Sequence, residues 1–270
     1  MTPHPIVTLL TDFGGDGWYV AAVKGVILTL APEARLVDVS HDVAPGDVAQ
    51  ASFLLSAACR WFPPGTIHLA VVDPGVGSSR RLLAAETSEA VFLAPDNGLL
   101  TPILAGASVR AIDRQDLHLR NPGATFDGRD RFAPVAAFLA RGGRFADLGP
   151  EIADPVRLET PPPRRESGRL AGRIAHVDRF GNLITDLPAE WLPPGQGFRA
   201  RAGNGSTTRF ATHYAELGAD EAAVLPGSLG TLEISLDRAS LAERWSALRG
   251  GEVVVELSGP AGPAGPEPAG

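Results

Sequence analysis

The 270-residue chain is poor in the residues that carry several common chemistries. Cys59 is its one cysteine, which excludes an internal disulfide and any cysteine-rich metal site. The neighbours Ala57, Ala58 and Trp61 give Cys59 an apolar, helix-like setting, where a thiol belongs to the core rather than to catalysis. Lys24 is the single lysine among 24 basic residues. Acidic residues outnumber them, and the formal net charge of -7 excludes the basic face that nucleic acid or an anionic membrane surface requires. No uninterrupted apolar run reaches ~18 residues, so no membrane span is expected. The opening Met1-Thr2-Pro3-His4-Pro5 is not a basic region followed by an apolar core, so no signal peptide is read there. The two absences predict a cytoplasmic protein. Dinucleotide (G-x-G-x-x-G), P-loop (G-x-x-x-x-G-K-[ST]) and serine-hydrolase (G-x-S-x-G) signatures are all missing.

What is present is an ordinary globular balance, 44% hydrophobic and 20% charged, in a chain long enough for one large domain or two modest ones. Apolar runs at 5–10, 36–39, 66–72, 82–87 and 90–94 read as strands. Helical spacing appears over 17–30, 48–61, 97–105 and 132–141. The alternation predicts an α/β N-terminal domain with a largely parallel sheet over residues 1–158. Residues 159–168, proline-rich and charged, read as a linker. Beyond it, short segments at 173–177, 182–185, 198–201, 231–234 and 253–256, with one helix over 239–248, predict a smaller, mostly antiparallel β domain over 169–257. Residues 258–270, nearly all Gly, Pro and Ala, read as a flexible tail.

The candidate chemistry sits at strand ends. Val71-Val72-Asp73-Pro74-Gly75-Val76-Gly77 turns tightly off an apolar strand, placing Asp73 at the sheet edge where open α/β sheets keep their ligands. Arg80, seven residues on, can fold back toward it. A carboxylate and a guanidinium there can orient and polarise a small polar molecule such as water, or they can be a surface ion pair beside a turn. Asp12, in Thr11-Asp12-Phe13-Gly14, suits a ribose diol because a carboxylate accepts two hydrogen bonds, but it also suits a helix cap. Asp96-Asn97, Asp127-Gly128-Arg129-Asp130 and Asp178-Arg179-Phe180-Gly181-Asn182 each read as turns as well as sites. His41, His68 and His176 lack metal-ligand spacing and read as structural.

Six pieces occur in a fixed order: Thr11-Asp12-Phe13-Gly14, Asp38-Val39-Ser40-His41, Val72-Asp73-Pro74-Gly75-Val76-Gly77, Ala94-Pro95-Asp96-Asn97-Gly98-Leu99-Leu100, Thr125-Phe126-Asp127-Gly128-Arg129-Asp130 and Asp178-Arg179-Phe180-Gly181-Asn182. The set, spanning residues 5–257, resembles the S-adenosyl-L-methionine (SAM) hydroxide adenosyltransferase family, relatives of the fluorinating and chlorinating SAM enzymes. The resemblance implies hydrolysis of SAM to adenosine and methionine by activated water at ribose C5′. It implies no metal and no cofactor, SAM being the substrate, and a homotrimer with SAM held between one subunit's N-terminal domain and the next subunit's C-terminal domain. By position it implies that Asp73 and Arg80 are two members of the family's water-activating Asp-Arg-His set and that Asp12 binds ribose. It further implies that Asp178, Asn182 and Ser228 hold the methionine part, and that Tyr214 stacks on adenine. The chain departs from the family at Asp127, which stands where a His is usual and is read as supporting water activation. Leu236-Asp237-Arg238 replaces an Asn-containing segment near adenine, which leaves the adenine edge unassigned, and Gly15-Asp16-Gly17 spaces its acid differently. The alternatives are a SAM-dependent halide transferase and a non-catalytic adenosine- or SAM-binding protein.

Overall fold

A computed structural model describes residues 4–218 and 220–260. Five of the six residues of the first strand, β1 (Ile6–Thr11), are buried, as its apolar sequence requires. There follow α1 (Tyr19–Leu30), β2 (Arg35–Ser40), α2 (Val48–Cys59), β3 (Thr66–Val71), β4 (Leu82–Glu86), β5 (Ala90–Pro95), β6 (Ser108–Ala111) and α3 (Ala133–Ala140). The strands form one sheet in the order β2-β1-β3-β5-β4-β6. β1 pairs in parallel with β2 and β3, and β3 with β5, while β4 runs antiparallel to β5 and β6. The sheet is therefore mixed and mostly parallel. The antiparallel pair follows from the connection: residues 87–89 are too few for a crossover between β4 and β5.

Side-chain alternation divides the strands between two cores. Val7 and Leu9 of β1 pack with Val23 and Ile27 of α1 and Val135 of α3. Leu10 turns the other way, into a cluster with Ala51 and Leu55 of α2. Both faces are covered, the condition under which parallel sheets are stable. Thr11 is paired beside Val71, so Asp12 and Val72-Asp73 leave the sheet at one edge. The expected helix over 97–105 is a run of turns instead. Gly98 sits at φ +94°, outside helical space, and the Asn97 amide donates to the Val72 carbonyl at 2.9 Å, tying the segment to β3.

The chain divides into two compact units between Glu159 and Thr160. The second unit contains β7 (Arg164–Glu166), β8 (Arg169–Val177), β9 (Leu183–Pro188), β10 (Gln196–Ala202), β11 (Gly205–Thr207), β12 (Ala223–Pro226), β13 (Thr231–Ser235), α4 (Leu241–Arg244) and β14 (Glu252–Pro260). Its sheet runs β11-β10-β14-β8-β9-β13-β12, with β7 added beside β8, and every pairing of these strands is antiparallel. Alternate residues of β9 are buried, and a single core gathers Leu170, Ile174, Leu183, Phe198, Ile234 and Trp245. Three boundaries differ from the sequence reading. Residues 164–166, inside the expected linker, hairpin onto β8, and residues 258–260 complete β14 rather than begin a tail. The rest of that tail, 261–270, lies outside the described residues. The helix over 239–248 shrinks to α4: Ser240 Oγ caps it by accepting from Glu243 N–H at 3.2 Å, and Ser246 leaves helical space at φ +48°. Among the described residues no helix is long and apolar enough to cross a membrane.

Truncating a side chain in the sheet core tests this packing. Leu9, 1% exposed, should cost about 3 kcal/mol of unfolding free energy when replaced by Ala, because the cavity cannot be refilled. Val37, 38% exposed on edge strand β2, should change by no more than about 0.5 kcal/mol. Denaturant titration measures both, and a Leu9→Ala loss no larger than that of Val37→Ala would contradict the two-core arrangement.

Candidate active site

The Asp73 turn is built by its own backbone. Gly75 N–H donates to Asp73 Oδ1 at 3.2 Å and Val76 N–H to the Asp73 carbonyl at 3.3 Å, turning the chain so that Arg80 returns over Asp73. Arg80 Nε donates to Asp73 Oδ1 at 2.8 Å and Oδ2 at 2.7 Å, and Nη2 also contacts Oδ2. The same Nη2 reaches Asp127 Oδ2 at 2.5 Å. The side chains of Arg80, Asp73 and Asp127 are 9%, 5% and 3% exposed, so one buried guanidinium is shared by two buried carboxylates. Burial alone would lower the Arg80 pKa; Asp73 and then Asp127 outweigh it and raise it, so Arg80 stays charged. Arg80 Nη1 has no protein partner among the described residues, which leaves two N–H donors for a ligand oxygen.

Asp127 arrives from the opposite side. It precedes a π-helical turn, Gly128–Phe132, that leads into α3. The loop carrying Arg80 can approach it because Gly77, at φ +82°, has no side chain: a Cβ there would lie 2.8 Å from the Ala124 carbonyl oxygen. Arg131 Nε stands 3.1 Å from Asp127 Oδ1 but off the hydrogen-bond axis, and both atoms are buried without a hydrogen-bond partner. His118 faces the same two charges. Burial and Arg131 lower its pKa against the raising effect of Asp127, so its imidazole is held neutral.

Asp12 stands at the neighbouring strand end. Its Oδ2 accepts from Gly46 N–H at 2.8 Å, and Gly46 in turn lies against Pro74, next to Asp73. Beside it Phe13, Trp18, Tyr19 and Phe126 form an aromatic cluster, with Trp18 and Tyr19 stacked at 4.5 Å and Tyr19 edge-on to Phe126 at 5.2 Å. The Asp96 and Asp130 turns serve the scaffold. Asp96 accepts from Arg81 Nε and from Val156 N–H, both at 2.7 Å. Asp130 accepts from Arg129 Nε at 2.6 Å and Gly123 N–H at 2.8 Å.

In the second unit Asp178, Asn182 and Tyr214 line one cavity of about 520 Å³, with Leu236, Asp237 and Arg238 on its wall. Asp178 organises the β8–β9 turn: Oδ1 accepts from Phe180 N–H and Asn182 N–H, and Oδ2 from the Asn182 amide, each at 2.9 Å. The Tyr214 ring is half exposed, and its hydroxyl donates to Glu233 Oε1, which also accepts from Ser235 Oγ at 2.8 Å. Burial, then Glu233, pushes the phenol pKa far above its ordinary value, so Tyr214 remains a neutral platform. Ser228 is exposed in the β12–β13 turn and is not among the cavity's lining residues. Glu233, 6% exposed, was not singled out from sequence, although a glutamate between Leu232 and Ile234 in an apolar strand is a readable signal. Trp18 and Tyr19 were likewise passed over; two adjacent aromatics after a glycine-rich turn mark them.

Comparison with known proteins follows the same division of the chain. The model of the SAM hydroxide adenosyltransferase N-terminal domain matches residues 7–149, and that of the C-terminal domain matches residues 172–254. A protein of Salinispora tropica named (R)-S-adenosyl-L-methionine hydrolase is 42% identical over 72% of this chain and 76% of its own length. A fluorinase of an Actinoplanes species is 28% identical over 68% of this chain and 72% of its own. The crystal structure of an uncharacterized conserved protein from Thermotoga maritima superimposes with a TM-score of 0.88 at 34% identity, covering 92% of this chain and 99% of that one. Matched in order across both units, this chain belongs to the SAM hydroxide adenosyltransferase family.

Proposed function

We propose that this protein hydrolyses SAM to adenosine and L-methionine, by in-line attack of an activated water at ribose C5′. The observation that carries the reading is the buried Arg80 shared by Asp73 and Asp127, with Nη1 unpaired. Arg80 holds the water oxygen, and Asp73 accepts the proton the water loses. The new O–C5′ bond forms as the C5′–S bond breaks with its electron pair going to sulfur. Methionine leaves as a neutral thioether, so neither a general acid nor a cofactor is required, and SAM is the substrate. Asp127 completes the second side of Arg80 and fixes its plane.

Asp12 Oδ1 is available to the ribose hydroxyls. Asp178, Asn182 and Ser228 hold the methionine part, and Tyr214 offers its neutral ring to adenine. The (R) form of SAM, for which the Salinispora relative is named, is the substrate form we assign here as well. Asp73 disfavours the halide alternative, since a carboxylate at the nucleophile position repels a halide anion but accepts a proton from water. We further propose a homotrimer in which the first unit of one copy and the second unit of the next complete each site.

Purified protein incubated with SAM and analysed by chromatography should release adenosine. 5′-Halo-adenosine would instead indicate halide transfer, and unchanged SAM with measurable binding a non-catalytic protein. Asp73→Asn and Arg80→Ala should each cut adenosine release at least about a hundredfold, and near-normal turnover in either rejects the assignment. Asp127→His should fold and remain active but acquire a new titration near neutral pH, where imidazole changes charge. Identical pH–rate profiles for parent and variant would make Asp127 a turn residue only. Co-expressing Asp73→Asn chains with Asp178→Ala chains should restore about a quarter of parental activity, because some junctions then carry both intact units. No restoration would place each site within a single copy.

A further inference from the structure

Behind Asp12 lies a chain of polar side chains that the proposed chemistry does not use. Lys24, the single lysine, donates from Nζ to Asp38 Oδ2 at 2.6 Å. On the other side of that carboxylate, His41 Nε2 lies 3.0 Å from Oδ1, at ion-pair distance though off the hydrogen-bond axis. The opposite ring nitrogen, His41 Nδ1, is 2.8 Å from Thr11 Oγ1, and Thr11 is 2% exposed. The imidazole thus bridges the two groups, sharing a hydrogen bond with the Thr11 hydroxyl through Nδ1 and facing the Asp38 carboxylate with Nε2. Burial would raise the Asp38 pKa, but Lys24 and His41 outweigh it and hold Asp38 below its ordinary value, ionised.

A break in strand register makes this contact. β1 and β2 pair Leu9 with Asp38, but Leu10 with Ser40, so one residue of β2 is skipped. Continued from Leu10, the shifted register sets His41 beside Thr11; unshifted pairing would have put Ser40 there. Irregularities of this kind re-aim a side chain at a sheet edge. The segment so positioned holds the backbone around Asp12. Phe13 N–H donates to Thr11 Oγ1 at 3.3 Å, and Gly14 N–H donates to the His41 carbonyl at 2.9 Å. Five residues beyond His41, Gly46 N–H takes Asp12 Oδ2. Asp12 Oδ1 is left without a protein partner among the described residues.

We infer that Lys24, Asp38, His41 and Thr11 form a positioning relay that fixes Asp12 with one oxygen bound and one presented, and so sets a preference for a ribose bearing both hydroxyls. The inference rests on the reading above that Asp12 meets the ribose of SAM. These residues touch no reacting atom; they act through Asp12, as the second layer around a site holds its contact residues.

The test compares kcat/KM for SAM with that for its 2′-deoxyribose analogue, in the parent and in folded Thr11→Val and His41→Leu proteins. The parent should prefer SAM by about tenfold or more, the scale of one hydrogen bond to a charged group. Each variant should lose at least about fivefold of that preference, mainly through a higher KM for SAM. Thr11→Val exchanges a hydroxyl for a methyl of similar size and keeps the test open if His41→Leu does not fold. Variants that retain the full preference, or that lose both substrates by one common factor, overturn the relay while leaving SAM hydrolysis standing. A parent without adenosine release, or without any preference for the diol, overturns the reading of the site and the relay with it.

Discussion

The site depends on one buried cation. Arg80 sits between Asp73 and Asp127 with all three side chains under 10% exposed, and charges so far from water persist only when paired. Removing one partner of such a group costs about 3–5 kcal/mol, because the others are left buried and uncompensated. The constraint reaches outward from there. The β3 turn must bend back within seven residues, Gly77 must lack a side chain to pass Ala124, and the π-helical turn must deliver Asp127 from the far side. Asn97 adds a strut by holding the carbonyl of Val72, the residue before Asp73. Several otherwise separate turns thus serve a single ion cluster.

That cluster lacks an imidazole. Asp127 occupies the position where the resemblance leads one to expect a histidine, and His118 faces the same charges with its ring held neutral by burial and Arg131. Two carboxylates around one guanidinium form an acceptor-rich pocket, suited to taking a proton from water and to tolerating a sulfonium substrate nearby. They are unequal. Asp73 receives three contacts from Arg80 and Asp127 receives one, and Arg131 lies 3.1 Å from the far oxygen of Asp127. This asymmetry seats Arg80 chiefly on Asp73, with Asp127 holding its other edge in place.

Much of this was legible in the sequence because strand ends with special turn chemistry write themselves locally. Asp73-Pro74-Gly75 and Asp178-Arg179-Phe180-Gly181-Asn182 are turns for reasons carried within a few residues, and both lie where periodicity put them. The apolar strands of the first sheet were readable for the same reason. The segment 97–105 was misread because its apolar residues have helical spacing, while Gly98 and the Asn97–Val72 bond act against it. β7 and β11 escaped because three-residue strands carry too little pattern and form only by pairing with a longer neighbour. Contacts made across distance were readable only through the family resemblance, as for Asp127 beside Arg80, and otherwise not at all. Nothing local in Thr11, His41 or Glu233 announces its partner: the first pair meets through a one-residue shift between β1 and β2, and Glu233 meets Tyr214 across 19 positions of chain.

The central claim is that water, held by Arg80 and deprotonated by Asp73, attacks ribose C5′. Turnover in ¹⁸O-enriched water, with products separated and weighed by mass spectrometry, tests it most directly. The account predicts one ¹⁸O in the 5′-hydroxyl of adenosine and none in methionine. Label in the amino-acid product, or sulfur retained on the nucleoside, would place the attack on the other side of the sulfonium and contradict it.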